Sequence, residues 1–170
     1  MKHPNWYSVT AAVLAVACVC VAVGVSQAST TNGTLSVSAT IGSSCTVGAA
    51  SLAFGSIDPS TSSNVVGSIS VSCMAGAAYT VDLNGGLNLN SGIRRMSSGG
   101  PTPSYVPYSL YQDAARTIQW GTAVSGTTEN GTGNGAAQSL PVYGQVPAQP
   151  VGQQAGPGSY TDSVTVTVSF

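Results

Sequence analysis

The sequence of 170 residues predicts an all-β protein built as a β-sandwich. Apolar and polar residues alternate with a period of two through several short segments, which is the pattern of strands buried on one face. Clusters of Gly, Ser, Asn and Pro separate these segments and predict turns. No stretch longer than a turn or two of the exported part shows a helical pattern, and seven or more short strands in one domain are typical of a sandwich.

The first 28 residues have the three parts of a secretory signal peptide. Lys2 and the amino terminus are positive, residues 9–25 (VTAAVLAVACVCVAVGV) are apolar and uncharged, and residues 26–28 (SQA) put small residues where a signal peptidase cleaves. We therefore expect residues 1–28 to be removed and residues 29–170 to be exported. An uncleaved anchor helix is the alternative, because 17 apolar residues lie at the short end of a membrane span.

The exported part lacks most of the groups that catalysis uses. It contains no His and no Lys. Its charged residues are three Arg, four Asp and one Glu, which give a net charge of −2. General acid–base and nucleophilic catalysis depend mainly on His, Lys, Asp, Glu and Cys, and nucleic-acid binding needs a basic surface. We expect neither an enzyme nor a nucleic-acid-binding protein, and we expect no cofactor and no metal.

Two cysteines, Cys45 and Cys73, remain in the exported part. An oxidising compartment favours a disulfide for such an even pair. A metal site would need ligands that the exported part, which has no His, does not supply, and a redox pair would need a close C-x-x-C spacing. The pattern favours a structural disulfide, which should stabilise the fold by about 3–4 kcal/mol. A single cysteine pair also suits a small secreted immunoglobulin-like (Ig-like) sandwich.

The alternating segments give the order of the predicted strands. We expect strands at residues 34–41, 51–57, 65–73, 79–83, 105–111, 117–121, 139–146 and 163–170. Turns are predicted at residues 58–60 (DPS) and 84–86 (NGG), and polar loops at residues 122–138 and 147–158.

The remaining polar and aromatic residues have structural interpretations. We expect Arg94 and Arg95 at the solvated edge of a loop. Turn or capping roles are expected for the four aspartates, which are Asp58, Asp82, Asp113 and Asp162. Packing in the core or on a sheet face is expected for four aromatic residues, which are Tyr105, Tyr108, Tyr111 and Trp120.

The first and last predicted strands lack both charge and proline, the residues with which soluble proteins protect an exposed edge. One face of the first predicted strand carries Leu35, Val37, Ala39 and Ile41. One face of the last predicted strand carries Val164, Val166, Val168 and Phe170. Either these strands pair inside one sandwich, or the N-terminal strand is donated to a neighbouring molecule by β-augmentation.

Four stretches of the chain resemble the spore coat protein U family, whose domain is used by subunits of archaic (Csu-type) chaperone–usher pili. They are residues 37–47 (VSATIGSSCTV), 52–59 (LAFGSIDP) with 69–73 (ISVSC), 108–117 (YSLYQDAART) with 120–121 (WG), and 158–170 (GSYTDSVTVTVSF). They follow the family's order and span almost the whole exported part.

The resemblance implies a pilus subunit with an incomplete Ig-like fold that lacks its last strand. In that family a periplasmic chaperone first fills the resulting groove, and the N-terminal extension of the next subunit then replaces it. Carried over to this chain, residues 29–44 supply both the donor segment and the first strand of the domain. The donor residues are Leu35, Val37, Ala39 and Ile41, and the groove wall that faces the chaperone is Val164, Val166, Val168 and Phe170. The family's disulfide falls on Cys45 and Cys73.

The implied partners are a periplasmic chaperone, an outer-membrane usher and neighbouring pilus subunits. The implied location is the periplasm in transit and then a cell-surface fibre that supports adhesion and biofilm formation. The alternative is a self-contained secreted coat domain that stays monomeric and binds a carbohydrate or a surface through its loops.

Overall fold

The computed structural model describes residues 28–48, 50–121 and 127–170. The predicted signal segment lies outside these residues, apart from Ala28. The chain divides into two units, Met1–Ala39 and Thr40–Phe170. The described part of the first unit forms no strand, and its side chains are exposed. None of the described residues belongs to a helix long and apolar enough to cross a membrane.

The second unit is all-β, as predicted. Its described residues form eight strands, which are β1 (Cys45–Val47), β2 (Ser63–Cys73), β3 (Ala78–Leu83), β4 (Arg94–Ser97), β5 (Tyr105–Tyr111), β6 (Glu129–Thr132), β7 (Ala137–Val146) and β8 (Val166–Ser169). The strands form a five-stranded sheet with the order β1-β2-β7-β5-β4 and a three-stranded sheet with the order β6-β3-β8. Every pair of neighbouring strands is antiparallel.

Period-two alternation selects which residues fill the core. In β2, Ile69, Val71 and Cys73 are buried while Ser68 and Ser70 are exposed, because successive side chains of a strand point to opposite faces. The same rule buries alternate residues of β3, β5 and β7. The buried apolar cluster is Ile69, Val71, Cys73, Tyr79, Val81, Leu83, Val106, Tyr108, Leu110, Trp120, Val142 and Val146. The prediction of core positions for Trp120 and Tyr108 is confirmed.

Three predicted strands do not form. Residues 34–41 and 51–57 contain no strand, and residues 117–121 contain only isolated bridges at Gln119 and Trp120. A strand needs a partner to satisfy its backbone groups, and alternation alone does not show whether a partner exists. Conversely, β4 and β6 lie where loops were predicted, in short segments without apolar alternation.

The prediction that Arg94 lies at a solvated loop edge is wrong. Arg94 is only 1% exposed and opens β4. Its guanidinium group donates hydrogen bonds to the carbonyl oxygens of Leu83, Asn84 and Trp120, at 2.7–2.9 Å. The guanidinium group holds its N–H donors in a rigid fork, so it can donate to three carbonyl oxygens at once. These hydrogen bonds offset the cost of burying the cation.

Candidate functional site

The open edge of β8 is the first element of the candidate site. Within the described residues β8 pairs only with β3, in a register that places Val166 opposite Leu83 and Val168 opposite Val81. The strand carries no charge and no proline, so nothing in its sequence protects the edge. An edge of this kind offers a row of backbone donors and acceptors to another strand.

The register shows which residues of β8 face that edge. Asn84 N donates to Thr165 O over 3.0 Å, which makes residues 84 and 165 a hydrogen-bonded pair of the ladder. Hydrogen-bonded and non-hydrogen-bonded pairs alternate in an antiparallel ladder. The N–H and C=O groups of Val166 and Val168 therefore point away from β3. No backbone hydrogen bond joins these two residues to another segment of the described chain.

A second segment with an unpaired backbone covers the inner face of the larger sheet. After β1, Gly48 N donates to Ser70 O, and then the chain leaves the edge of β2. Across residues 50–57 no backbone hydrogen bond to another described backbone group is present. Half-buried Leu52 and Phe54 hold this segment, which we call the crossing segment, against the core.

Two glycines make room for Leu52. Gly67 on β2 and Gly144 on β7 have no side chains, and a Cβ on either would lie 2.6–2.7 Å from a methyl group of Leu52. Phe54 continues the contact, since its ring lies 6.3 Å from that of Tyr108 and is tilted by 60° to it. The crossing segment is thus seated in a recess of the sheet that larger residues would close.

Between these elements lies an apolar groove of about 1380 Å³, larger than a typical small-molecule pocket of roughly 300–1,000 Å³. We call it the inter-sheet groove. One side is formed by Val164 and Val166, and another by the crossing segment. The core residues that line it are Ile69, Leu83, Val106, Tyr108, Leu110 and Val142. Such an apolar surface beside an unpaired strand edge is typical of a site that binds an extended chain.

The chain that leads into β8 is fixed by Asp162. Its Oδ2 accepts a 2.7 Å hydrogen bond from the Tyr108 hydroxyl group, and its Oδ1 accepts bonds from Leu87 N and Asn88 Nδ2. Burial, and then the bond to Asp162, raise the pKa of Tyr108 above its usual range, so the hydroxyl group stays protonated and donates. These bonds anchor the groove's β8 side to β5 and to the loop after β3.

The disulfide forms as predicted. Cys45 and Cys73 are bonded, and they pair across β1 and β2 in the same register. The capping roles expected of Asp58 and Asp113 are also present, with Asp58 Oδ1 accepting from Ser60 N and Asp113 Oδ1 accepting from Ile118 N. No group of three or more His, Cys, Asp or Glu that could hold a metal ion occurs among the described residues.

The residues predicted for the donor and for the groove wall have different environments. Leu35 is 88% exposed, and Val37 and Ile41 are each 83% exposed, which is unusual for large apolar side chains. The wall residues are half-buried at Val164, Val166 and Val168, whereas Phe170 is more than half exposed. Two of the four, Val164 and Val166, line the inter-sheet groove.

Sequence reasoning did not assign to the groove the residues that line it outside the C-terminal segment 163–170. Leu52 was expected in an ordinary strand, and no role was expected for Gly67 or Gly144. A signal was present, because an isolated glycine inside a strand pattern often marks a close approach by another segment. The Tyr108 bond to Asp162, which joins residues 54 positions apart, had no local signal.

These observations define an Ig-like β-sandwich with one disulfide and with an open strand edge beside an apolar groove. Residues 31–167 match the model of the Spore Coat Protein U domain. The chain therefore belongs to the spore coat protein U family, and the resemblance found in the sequence is confirmed. Protein U of Myxococcus xanthus is 33% identical over 167 residues, covering 88% of this chain and 90% of that protein.

A solved structure supports the fold. A chain of the CsuC–CsuE chaperone–tip adhesion subunit pre-assembly complex, from the archaic chaperone–usher Csu pili of Acinetobacter baumannii, superimposes with a TM-score of 0.55. Identity is 20%, and the match covers 75% of this chain but only 40% of that chain. The likeness confirms the Ig-like fold of the present chain.

Proposed function

We propose that this protein is a structural subunit of a surface pilus, assembled by donation of a β-strand from one subunit to the next. The single observation that carries the proposal is the unpaired, uncharged edge of β8 beside the apolar inter-sheet groove. The donor is the N-terminal segment of another copy or of a related subunit, through Leu35, Val37, Ala39 and Ile41. The acceptor surface includes Val164, Val166, Val168 and Phe170.

The exposed backbone supports a strand as the occupant. Val166 and Val168 direct N–H and C=O groups to the open edge, and the crossing segment has unpaired backbone groups on another side of the groove. An inserted strand would give hydrogen-bond partners to the backbone groups of β8 and of the crossing segment. Each such hydrogen bond would contribute a net gain of about 0.5–1.5 kcal/mol. A small molecule would leave most of these groups unpaired.

The exposed side chains support the N-terminal segment as the donor. Leu35, Val37 and Ile41 are apolar, lie at positions that share one face of an extended strand, and are 83–88% exposed. Burial of each large apolar side chain contributes roughly 1.5–3 kcal/mol. Transfer into a groove therefore stabilises both the donor and the acceptor.

The Csu complex supports the class of partners. Its chains are described as a chaperone and a tip adhesion subunit in a pre-assembly complex of a chaperone–usher pilus. By analogy we propose a periplasmic chaperone that covers the groove before assembly, an outer-membrane usher, and export through the periplasm to a surface fibre that serves adhesion and biofilm formation. In this proposal the signal peptide is residues 1–28, and the role of the chain is structural instead of catalytic.

Deletion of residues 29–41 tests the proposal. The exported chain should form oligomers that this deletion abolishes, while co-expressed chaperone still captures the truncated chain. Size-exclusion chromatography and a pull-down on the chaperone measure the two effects. A full-length chain that is a stable monomer without any partner would overturn the proposal and favour the self-contained coat domain.

A matched pair of substitutions separates loss of the donor contact from the general effect of placing a charge at an exposed valine. Val37 and Val151 are both highly exposed valines, at 83% and 94%, but only Val37 lies in the proposed donor. Val37→Asp should abolish oligomers, because a carboxylate would enter the apolar groove. Val151→Asp should leave them unchanged, and equal effects of the two substitutions would contradict the proposed donor.

A further inference from the structure

We propose that the outer face of the five-stranded sheet binds an acidic polysaccharide. Arg95 and Arg116 hold carboxylate groups of the polymer, and tyrosine rings of the same face pack against its sugars. This surface is separate from the inter-sheet groove, because it lies on the opposite face of the sheet. The inference therefore goes beyond strand donation and does not depend on it.

A row of apolar side chains crosses three strands on this outer face. Val66 on β2 is opposite Tyr143 on β7, and Tyr111 on β5 is opposite Tyr143 from the other side. Opposed residues share one face of a sheet, and the buried residues of these strands alternate with them. Val66 is 62% exposed and both tyrosines are half-buried. The row is thus an apolar strip that faces solvent.

A row of amide and hydroxyl groups lies beside this strip, two residues away along each strand. Asn64, Gln145 and Ser109 are opposite one another across β2, β7 and β5. Gln145 Nε2 donates a 3.0 Å hydrogen bond to Asn64 Oδ1, which leaves Gln145 Oε1 and Asn64 Nδ2 open to a ligand. A sugar ring has C–H groups on its faces and hydroxyl groups at its rim, so adjacent apolar and amide rows match it.

Two arginines lie on the outer face, each against a tyrosine ring. Arg95 Cζ is 4.1 Å from the centroid of the Tyr105 ring, and Arg116 Cζ is 6.0 Å from that of Tyr143. Among the described residues, the hydrogen bonds of these two guanidinium groups go only to backbone carbonyl oxygens. Each group keeps further N–H donors in a planar fork, which is the geometry that holds a carboxylate.

The charge of this face is complementary to an anion. The strands of the five-stranded sheet contain no Asp and no Glu, whereas β3 and β6 of the other sheet carry Asp82 and Glu129. Asp113, on the turn that carries Arg116, accepts hydrogen bonds at both carboxylate oxygens from groups of the same turn. An anionic partner is therefore attracted to the outer face and repelled by the acidic residues elsewhere.

The spacing of the two cations indicates a polymer of low charge density. Tyr105 and Tyr111 are six residues apart on β5, which is roughly 20 Å along the strand. Arg95 lies at the first tyrosine, and Arg116 lies over Tyr143, the partner of the second. A single sugar cannot reach both cations. A nucleic-acid strand carries a phosphate about every 3.4 Å, so most of its charges would find no cation here.

Binding of hyaluronan tests the inference in the exported chain, residues 29–170. In this polysaccharide every second sugar carries a carboxylate. The chain should bind fluorescently labelled hyaluronan, measured by fluorescence anisotropy, and binding should weaken as salt is added. Arg95→Gln and Arg116→Gln should each raise the Kd by about five-fold, as expected for one exposed ion pair.

A matched pair of valines provides a control that does not alter the arginines. Val66→Asp places a carboxylate on the outer face and should raise the Kd by about ten-fold or more through repulsion of the polymer. Val151→Asp places the same charge on an exposed loop residue and should leave the Kd unchanged. Both side chains are exposed, so neither substitution opens the core, and urea unfolding checks that both variants fold.

Several results would overturn the inference. Absence of hyaluronan binding, or equal effects of Val66→Asp and Val151→Asp, would remove the outer face as the site. Equally tight binding of neutral dextran would remove the role of the carboxylates. Equally tight binding of polyglutamate or single-stranded DNA would show attraction to any polyanion instead of recognition of sugars.

The proposed function fails in a different way. Deletion of residues 29–41 leaves the outer face in place and tests strand donation alone. Oligomers that persist after this deletion would overturn strand donation, whatever the chain binds through its outer face. Loss of hyaluronan binding in the Val66→Asp variant with unchanged oligomers would support the outer face as a separate site.

Discussion

Tyr108 on β5 donates a hydrogen bond of 2.7 Å to Asp162, which lies four residues before β8 begins. The bond links the five-stranded sheet to the chain that enters the three-stranded sheet. Because Asp162 also accepts hydrogen bonds from Leu87 N and Asn88 Nδ2, a single carboxylate holds three segments together. The position of the open strand edge therefore depends on this contact.

Substitution at the two residues should show strong coupling. Tyr108→Phe leaves Asp162 without its hydroxyl partner and should lower the free energy of unfolding by about 1–2 kcal/mol. Asp162→Ala removes three hydrogen bonds and should cost about 2 kcal/mol or more. Urea unfolding of the single and double variants should give a coupling of at least about 0.5 kcal/mol. Additive effects would contradict the link.

Arg94 and Arg95 form a matched pair for testing the buried cation. Arg94→Met leaves the carbonyl oxygens of Leu83 and Trp120 without a donor and should lower the free energy of unfolding by about 3 kcal/mol or more. Arg95 donates one backbone bond and lies over the Tyr105 ring at 4.1 Å, so Arg95→Met should cost only about 1 kcal/mol. Equal losses in urea unfolding would show that burial of Arg94 contributes nothing specific.

Reduction of the disulfide should destabilise the sandwich without changing its fold. The bond between Cys45 and Cys73 spans a sequence separation of 28, and opening it should cost about 3–4 kcal/mol through the entropy of the unfolded chain. Guanidinium unfolding with and without reductant measures the loss. Replacement of both cysteines by Ala should give a similar loss that reductant no longer changes, and a smaller effect than about 1 kcal/mol would contradict the expectation.

Acid should weaken the fold through two capping aspartates. The hydrogen bond from Ile118 N is the main cause that lowers the pKa of Asp113, and the Ser60 hydroxyl group is the main cause that lowers the pKa of Asp58. A lower pKa in the folded state means that the unfolded state binds more protons. This contribution to stability is therefore present above the ordinary carboxyl pKa near 4 and is lost as the pH falls through the folded value.

The measurement is the thermal midpoint between pH 6 and pH 2. The unaltered chain should lose stability across the acid range, and the chain with both Asp58→Asn and Asp113→Asn should lose less over the same interval. Because Asp58 is exposed and Asp113 is only half-buried, the difference should be small and should shrink in high salt. An identical acid profile for the two proteins would show that these caps do not titrate with folding.

The sequence predicted the fold class and much of the core because burial on one face leaves a direct periodic signal. Predicted strands 65–73, 79–83, 105–111 and 139–146 correspond to β2, β3, β5 and β7, where alternation coincides with burial. The disulfide was predicted because the exported part contains a single pair of cysteines. The predicted strand at residues 163–170 forms, but it is shorter than predicted, since β8 begins only at Val166.

The sequence could not predict features that depend on distant contacts. Burial of Arg94 depends on hydrogen bonds to three carbonyl oxygens. The residues near Arg94 in the sequence give no sign of these bonds. The alternation of residues 34–41 is as regular as that of a real strand, but pairing depends on a partner that the pattern does not contain. The seating of Leu52 on Gly67 and Gly144 likewise arises from three separate segments.

The place of the disulfide has a mechanical consequence for a fibre of the proposed kind. Cys45 is the first residue of β1, so tension on a donated N-terminal segment enters the sandwich there. The three residues of β1 alone could be peeled away one hydrogen bond after another. The sulfur–sulfur bond instead passes the load to Cys73, at the end of the eleven-residue β2, which pairs with β1 on one side and with β7 on the other. A fibre under flow would stretch against covalent bonds and shear a long strand before any single subunit unravelled from its start.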